Sequence, residues 1–318
     1  MNAKPPLSAR LVVALAFGIY GAQLIRHQYQ RVVHTDFGMV WYGARAMLHH
    51  QDPYVLIGPG LPFDYGWHLI YPATALAAVS PLAGFSESTA ATIFVGLSTF
   101  LLALGVTRDG WFLLPIFATE AFASSARLGQ WSILFTAALF FPTLAFFSIA
   151  KPQAALPVLA TSTCWLSIKR SAIGALILLA ASTAFLPDWI HGWVANMRAT
   201  HFMDAPVTEF AGVFTLLLLC RWRRPEAWLV LTLAFMPQSW GWYGTLPLFA
   251  VPGSFLESAA LVVFSSCVSF FAATILPAGL SDREFHSFLA QTLIISTYIP
   301  ATILVLLRPN KGVGPVWI

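Results

Sequence analysis

The chain alternates long apolar runs with short polar connections from one end to the other. Many of the runs approach the roughly 17–20 residues that cross about 30 Å of hydrocarbon. The pattern predicts spans at 9–25, 69–84, 89–106, 111–126, 131–149, 152–168, 171–187, 208–220, 226–239, 242–252, 256–276 and 289–307. Because 208–220 and 242–252 are short, we expect an all-α polytopic membrane protein with ten to twelve transmembrane helices.

The composition agrees with this pattern. Hydrophobic residues make up 58% of the chain and charged residues only 9%, whereas a soluble domain carries roughly 25% charged residues. No connection between the runs is long enough for a separate soluble domain. We therefore interpret residues 1–318 as a single integral membrane domain.

Two polar loops interrupt the apolar pattern. The loop 26–68 carries five of the 8 histidines and three of the 13 acids, namely Asp36, Asp52 and Asp64. The smaller loop 188–209 carries further aromatic, histidine and charged residues. Chemistry on water-soluble groups is expected in these loops.

The basic residues cluster at the ends of spans and not in one patch, so the net charge of +4 does not indicate nucleic-acid binding. Such clusters set orientation instead, with cationic loops on the cytoplasmic side. The clusters at 4–10, 169–170, 221–224 and 308–311 predict a cytoplasmic amino terminus. Both polar loops then lie outside.

Residues 37–50 have helical periodicity within the first polar loop. Their apolar residues fall on one face and polar residues away from it, which predicts an amphipathic helix lying in the outer interface. Pro53 predicts where the helix must have ended.

Asp36 stands where this helix begins, and two interpretations of it are open. Its carboxylate could act as a general base on a substrate hydroxyl. Alternatively, Thr35 or Asp36 simply caps the helix. The nearby His34 and His49-His50 are weak evidence for a metal site, so we expect no metal and no bound cofactor.

Three further charged residues are candidates, because charge is costly in a membrane. Glu120 lies in the middle of a predicted span, and Arg127 and Lys151 flank the next one. Glu120 either belongs to a site or pairs with a base such as Arg127. Arg127 and Lys151 either bind an anionic lipid headgroup or are ordinary snorkelling anchors.

Several motifs occur in a characteristic order. They are Asp36-Phe-Gly-Met-Val-Trp-Tyr-Gly-Ala-Arg, Gln51-Asp-Pro-Tyr54, Ile70-Tyr-Pro-Ala, Ser80-Pro-Leu82, Leu128-Gly-Gln130, Lys151-Pro-Gln153 and Gln238-Ser-Trp240. In this order and spacing the chain resembles the polyprenol-phosphate-mannose-dependent mannosyltransferases of glycosyltransferase family 87. The resemblance covers most of residues 1–245.

This resemblance implies a GT-C fold in a bacterial inner membrane and an inverting transfer of a sugar, mannose in that family, from a polyprenyl-phosphate donor. It implies that Asp36 is the catalytic aspartate in the first outer loop. The lipid-linked sugar is then a co-substrate and membrane lipid a partner. The candidate substrate-binding residues are Arg127, Lys151, Gln130, Tyr42, Trp67, Tyr71 and Trp240.

Two other functional classes stay open. Members of the family often carry a histidine after the Ser-Trp step, where this chain has Gly241-Trp242-Tyr243. The main alternative is therefore a non-catalytic GT-C-like subunit that binds a partner protein or lipid within a membrane complex. A transporter ranks third, because few charges lie deep in the spans.

The predicted orientation can be tested by cysteine labelling in a background without the native cysteines. We expect Asp64→Cys and His201→Cys to react with a membrane-impermeant thiol reagent in intact cells, and Arg223→Cys to react only after permeabilisation. Labelling of Arg223→Cys in intact cells would overturn the orientation.

Overall fold

The computed structural model describes residues 4–31, 35–161, 165–200, 204–237, 241–276 and 279–310. These residues are predominantly helical. The α-helices are α1 (Leu7–Tyr29), α2 (Asp36–Leu48), α3 (Ala73–Val79), α4 (Glu87–Val106), α5 (Glu120–Leu128), α6 (Ser132–Ala138), α7 (Pro152–Thr161), α8 (Trp165–Phe185), α9 (Trp189–Ala199), α10 (Pro225–Ala234), α11 (Thr245–Ala250), α12 (Phe255–Ile275), α13 (Asp282–Leu293) and α14 (Ile299–Leu307).

Shorter elements complete the fold. The 3₁₀ segments are Ser80–Leu82, Leu114–Ala118, Pro142–Ala150, Pro206–Thr208, Gly212–Arg221 and Gly241–Gly244, and a π-helical turn, Ile294–Tyr298, joins α13 to α14. Strands β1 (Ile57–Gly58) and β2 (Phe63–Asp64) pair in the first polar loop. The predicted all-α class is confirmed in the described part of the chain.

Helices α1 and α4 pack antiparallel and define two ends of the molecule. At one end the Arg10 guanidinium donates to the Leu104 carbonyl at 2.7 Å. At the other end the Tyr29 hydroxyl donates to Glu87 at 2.8 Å. Glycine brings the two backbones together, since a Cβ at Gly21 would lie 2.4 Å from Oγ1 of Thr99.

We call the end that carries Tyr29 and Glu87 the Asp36 end, and the other the basic end. At the basic end Lys4 bonds Asp109 at 2.8 Å, close to Arg10. Arg170 also lies there, because it donates to Thr143. Thr143 follows Phe140 closely along the chain, and Phe140 packs against Gly105 of α4. Two of the four predicted basic clusters therefore share the end opposite Asp36.

Within the described residues, five helical segments are long and apolar enough to cross a membrane. They are Leu7–Tyr29, Glu87–Val106, Ser167–Phe185, Phe255–Ile275 and Arg283–Leu307. Each matches one predicted span to within a few residues at most boundaries.

Two predicted single spans are wrong. Segment 69–84 contains only α3 and one 3₁₀ turn, a rod of about 15 Å at helical rise. Segment 131–149 leaves from Gln130 and returns to Lys151, whose side chains lie 2.9 Å apart, so it is a hairpin. Apolar runs of this length look alike whether they face lipid or a protein interior.

The remaining predicted spans are shorter and more broken than expected. In their described residues, segments 111–126, 152–168, 208–220, 226–239 and 242–252 contain helices or 3₁₀ turns of 4 to 10 residues, apart from 165–168, which begin α8. The count of ten to twelve full-length helices is therefore not what the described residues show.

Helix α2 confirms the predicted helix, but its predicted place in the interface is wrong. It begins at Asp36 and ends at Leu48, and most of its residues are buried. Small residues allow neighbours to pack close to the helix: a Cβ at Gly43 would lie 2.8 Å from the Leu76 side chain of α3. The helix is an interior element of the Asp36 end.

The second polar loop contributes α9, which packs on the first. The buried Asn196 amide donates to the carbonyls of Tyr54 and Leu69, and the Trp193 indole donates to Ile70 at 2.8 Å. The two polar loops therefore lie together at the Asp36 end, and their location outside the membrane stays a prediction.

Candidate functional site

The start of α2 shows which residue caps the helix. Thr35 is the N-cap, and its hydroxyl oxygen accepts from the Gly38 amide at 3.1 Å. Asp36 is the first helical residue and only 8% exposed. Its side chain is therefore not needed as the cap.

Gln130 holds the Asp36 carboxylate from the turn between α5 and α6, since its Nε2 donates to Oδ2 of Asp36. The position of Gln130 depends on Gly129, which ends α5 in the left-handed conformation at φ 67°. A Cβ at Gly129 would lie 2.5 Å from Cβ of Phe37. Only glycine satisfies both the turn and this close approach.

Lys151 extends this contact into a network. It follows the 3₁₀ segment Pro142–Ala150 and is 6% exposed. Its ammonium donates to Oε1 of Gln130 at 2.9 Å and to the Tyr71 hydroxyl at 3.0 Å. It also lies 4.8 Å and 5.2 Å from the ring centres of Tyr71 and Tyr243, within the range of cation–π attraction.

Gln130 is thus an amide bridge between opposite charges. Its N–H faces the carboxylate and its carbonyl faces the ammonium, so each charged group has a partner of the right polarity. We call Asp36, Gln130, Lys151, Tyr71 and Tyr243 the bridged network. Among the described residues no hydrogen bond reaches Oδ1 of Asp36, which leaves that oxygen available to a substrate.

Burial sets the proton affinities of the two charged ends. Burial raises the pKa of Asp36 to about 6, although the Lys151 charge and the Gln130 hydrogen bond act in the opposite direction. Burial lowers the pKa of Lys151 to about 8, opposed by the Asp36 charge. Near neutral pH the carboxylate is therefore ionised but more basic than an ordinary aspartate.

The network unites four of the eight predicted site residues: Asp36, Gln130, Lys151 and Tyr71. Arg127 lies elsewhere, since it forms a 2.8 Å ion pair with Glu120, and both side chains are more than 40% exposed. Glu120 lines a cavity of about 280 Å³ between α5, α12 and α13, which no residue of the bridged network lines. The predicted Glu120–Arg127 pair is confirmed, but it lies at the surface.

The predicted stacking residues lie around the first loop. Tyr42 is half-buried, with its ring 4.5 Å from Phe63, and Trp67 packs edge-on against Tyr65 at 5.5 Å. Neither contributes a hydrogen bond to the bridged network. Trp240 and His34 fall outside the described residues.

Tyr243 is the member of the network that sequence reasoning missed. Its segment was noted only for lacking a histidine, and no local pattern points from residue 243 to Lys151. The sequence showed only a tyrosine shortly after the Ser239-Trp240 step, and its burial is visible only in the structure.

In the described part of the chain, no three histidine, cysteine, aspartate or glutamate residues lie close enough together to hold a metal ion.

Comparison with known proteins adds no relative. No protein-family model matches the chain, and neither a curated protein nor a solved structure is significantly similar to it. The resemblance to glycosyltransferase family 87 stays a prediction, and the bridged network is the basis for a functional proposal.

Proposed function

We propose that this protein is a membrane glycosyltransferase of the GT-C type, which transfers a sugar, mannose in the family it resembles, from a polyprenyl-phosphate donor. The observation that supports the proposal most strongly is the buried Asp36 carboxylate, bridged by Gln130 to the buried Lys151 ammonium. A base and a cation fixed in one site are what such a transfer requires.

In the proposed reaction Asp36 accepts the proton of the acceptor hydroxyl as that oxygen attacks the anomeric carbon. The new glycosidic C–O bond forms while the bond from the anomeric carbon to the phosphate oxygen breaks. The polyprenyl phosphate leaves with the bonding electron pair. A single displacement inverts the anomeric configuration, and Asp36 then releases its proton to water.

Lys151 has the complementary role of stabilising the leaving group. Its ammonium has three N–H groups, and hydrogen bonds to Gln130 and Tyr71 use two of them. The third has no hydrogen-bond partner among the residues that the structure describes and is available to a phosphate oxygen, and a charge-assisted bond is strong where water is scarce. We assign this role to Lys151 and not to Arg127, because Glu120 already neutralises Arg127.

A lipid-linked donor suits the proposed location. We propose that the Asp36 end faces away from the cytoplasm, with the basic end on the cytoplasmic side. Nucleotide sugars are not available there, whereas a polyprenyl-phosphate sugar reaches the site within the membrane.

One observation favours the alternative of a non-catalytic subunit. Asp36 and Lys151 compensate each other through Gln130, and a satisfied polar network can serve only to specify a fold. Purification discriminates the two: bound polyprenyl phosphate supports the enzyme, and stoichiometric association with a larger complex supports the subunit.

The role of Asp36 can be tested with Asp36→Asn. We expect transfer to fall by roughly two to four decades, because the amide cannot accept the proton. The cap of α2 is kept, since Thr35 and not Asp36 provides it. The buried Lys151 loses its compensating charge, however, so some loss of thermal stability is expected and transfer is compared per folded protein. The measurement is transfer from a radiolabelled polyprenyl-phosphate sugar by the purified variant. Transfer near the wild-type rate would remove Asp36 as the base.

The phosphate contact can be tested by comparing Lys151→Gln with Arg127→Gln. Losing a charge-assisted hydrogen bond costs about 1.5–3 kcal/mol, so Lys151→Gln should weaken polyprenyl-phosphate binding roughly ten- to a hundredfold. Arg127→Gln is the matched control and should bind almost normally. Titration in nanodiscs measures both.

Because Lys151→Gln leaves Asp36 without its buried cation, the double variant Asp36→Asn/Lys151→Gln provides a neutral network for comparison. Unchanged affinity in every variant that lacks Lys151 would remove Lys151 from the donor site.

The pH profile of transfer should report both ends of the network. Activity should increase as the pH rises through about 6, where Asp36 loses its proton and becomes a base. Activity should fall as the pH rises through about 8, where Lys151 loses its charge. A profile that is flat from about pH 5 to 7 would contradict a base of this pKa.

A further inference from the structure

A second set of hydrogen bonds, separate from the Gln130 contact, reaches the start of α2. The Tyr29 hydroxyl, at the end of α1, lies 2.8 Å from Oγ1 of Thr35 and 2.8 Å from Oε1 of Glu87 in α4. Thr35 in turn accepts from the Gly38 amide. These contacts connect α1 and α4 to the start of α2, at residues one and two positions away from Asp36.

The chemistry of the groups determines which of them donates each of these hydrogen bonds. An ionised carboxylate can only accept, so Tyr29 donates its single proton to Glu87. Tyr29 must then accept from Thr35, and the Thr35 hydrogen points away from α2. The lone pairs of Thr35 are left facing the Gly38 amide, which is what an N-cap requires.

Glu87 also lies directly against the helix start. A Cβ placed on Gly38 would lie within 2.1 Å of Oε1 of Glu87. A carboxylate in this place interacts favourably with the positive end of the α2 dipole. Glu87 therefore stabilises the first turn of α2 both directly and through Tyr29.

We propose that Tyr29 and Glu87 are positioning residues for Asp36: through Thr35 they fix the first turn of α2 and keep its carboxylate in the bridged network. The expected effect on sugar transfer rests on the proposed function, whereas the positioning of the carboxylate does not. Tyr29 acts through the Thr35 cap, and Glu87 acts through Tyr29 and through its own position against the first turn of α2.

The charged and titratable groups around Asp36 define how this positioning can be measured. Lys151, Tyr65, Tyr71 and Tyr243 interact electrostatically with Asp36, and Glu87 and Tyr29 act on Tyr65 from the other side. Because burial is the main reason for the raised pKa of Asp36, a loosened helix start admits water and lowers that pKa.

The experiment compares Tyr29→Phe with Tyr20→Phe. Tyr20 lies on the same helix and is 37% exposed, so its variant is the matched control. The titration of Asp36 is followed by infrared spectroscopy of protein with isotopically labelled aspartate, and the band is assigned by its loss in Asp36→Asn. Transfer kinetics are measured on the same variants.

We expect Tyr29→Phe to lower the Asp36 titration midpoint by about one pH unit through loss of burial. We expect the maximal transfer rate to fall about tenfold with little change in KM, because the base is misplaced while the donor contact remains. Tyr20→Phe should match the wild type in both measurements.

A second pair of variants guards against misfolding of Tyr29→Phe. Thr35→Val should reproduce its effects, and Thr35→Ser, which keeps the hydroxyl, should restore both the midpoint and the rate. An unmoved Asp36 midpoint in folded Tyr29→Phe and Thr35→Val would overturn the inference, even if both variants were less stable. The infrared titration needs no turnover, so its result is separate from a failure of the wild-type protein to transfer sugar.

Discussion

The rest of the site depends on one electrostatic constraint: a carboxylate buried at the Asp36 end must have a compensating charge. A direct ion pair would hold Asp36 and Lys151 tightly together and occupy the carboxylate. In this structure the Gln130 amide lies between them and bonds each with the correct polarity. Both groups stay charged near neutral pH, and Oδ1 of Asp36 keeps no hydrogen-bond partner among the described residues. A burial that would otherwise be costly is thus compensated without closing off the carboxylate, as the proposed role of Asp36 requires.

Several unusual features of the chain follow from this constraint. Gly129 must be glycine, because the turn that presents Gln130 has a positive φ and lies against Phe37. The hairpin 131–150 is short enough to bring Lys151 back to Gln130. Tyr71 and Tyr243 surround the ammonium with aromatic rings and so replace part of its lost hydration. The turn at Gly129, the return of the chain at Lys151 and the buried charges therefore all fix the same position for the Asp36 carboxylate.

Sequence patterning predicted the regular part of this protein and missed the irregular part. Hydropathy located α1, α4, α8, α12 and the segment that ends in α14, because a long apolar helix is legible from composition alone. It misread 69–84 and 131–149 as spans, since a short apolar run buried in protein has the same composition as one in lipid. Asp36, Gln130, Lys151 and Tyr71 were each singled out, but their contact was not. Partners separated by 94, 80 and 21 residues meet only through tertiary packing.

The most direct test of the proposed role is to observe where the donor binds. Electron cryomicroscopy of Asp36→Asn in nanodiscs, supplied with a polyprenyl-phosphate sugar, would trap the donor without turnover. The account predicts density for the phosphate beside the Lys151 ammonium and for the sugar next to residue 36. Donor density at the Glu120–Arg127 pair would contradict it. So would a map in which the bridged network is well resolved but no donor density lies beside it.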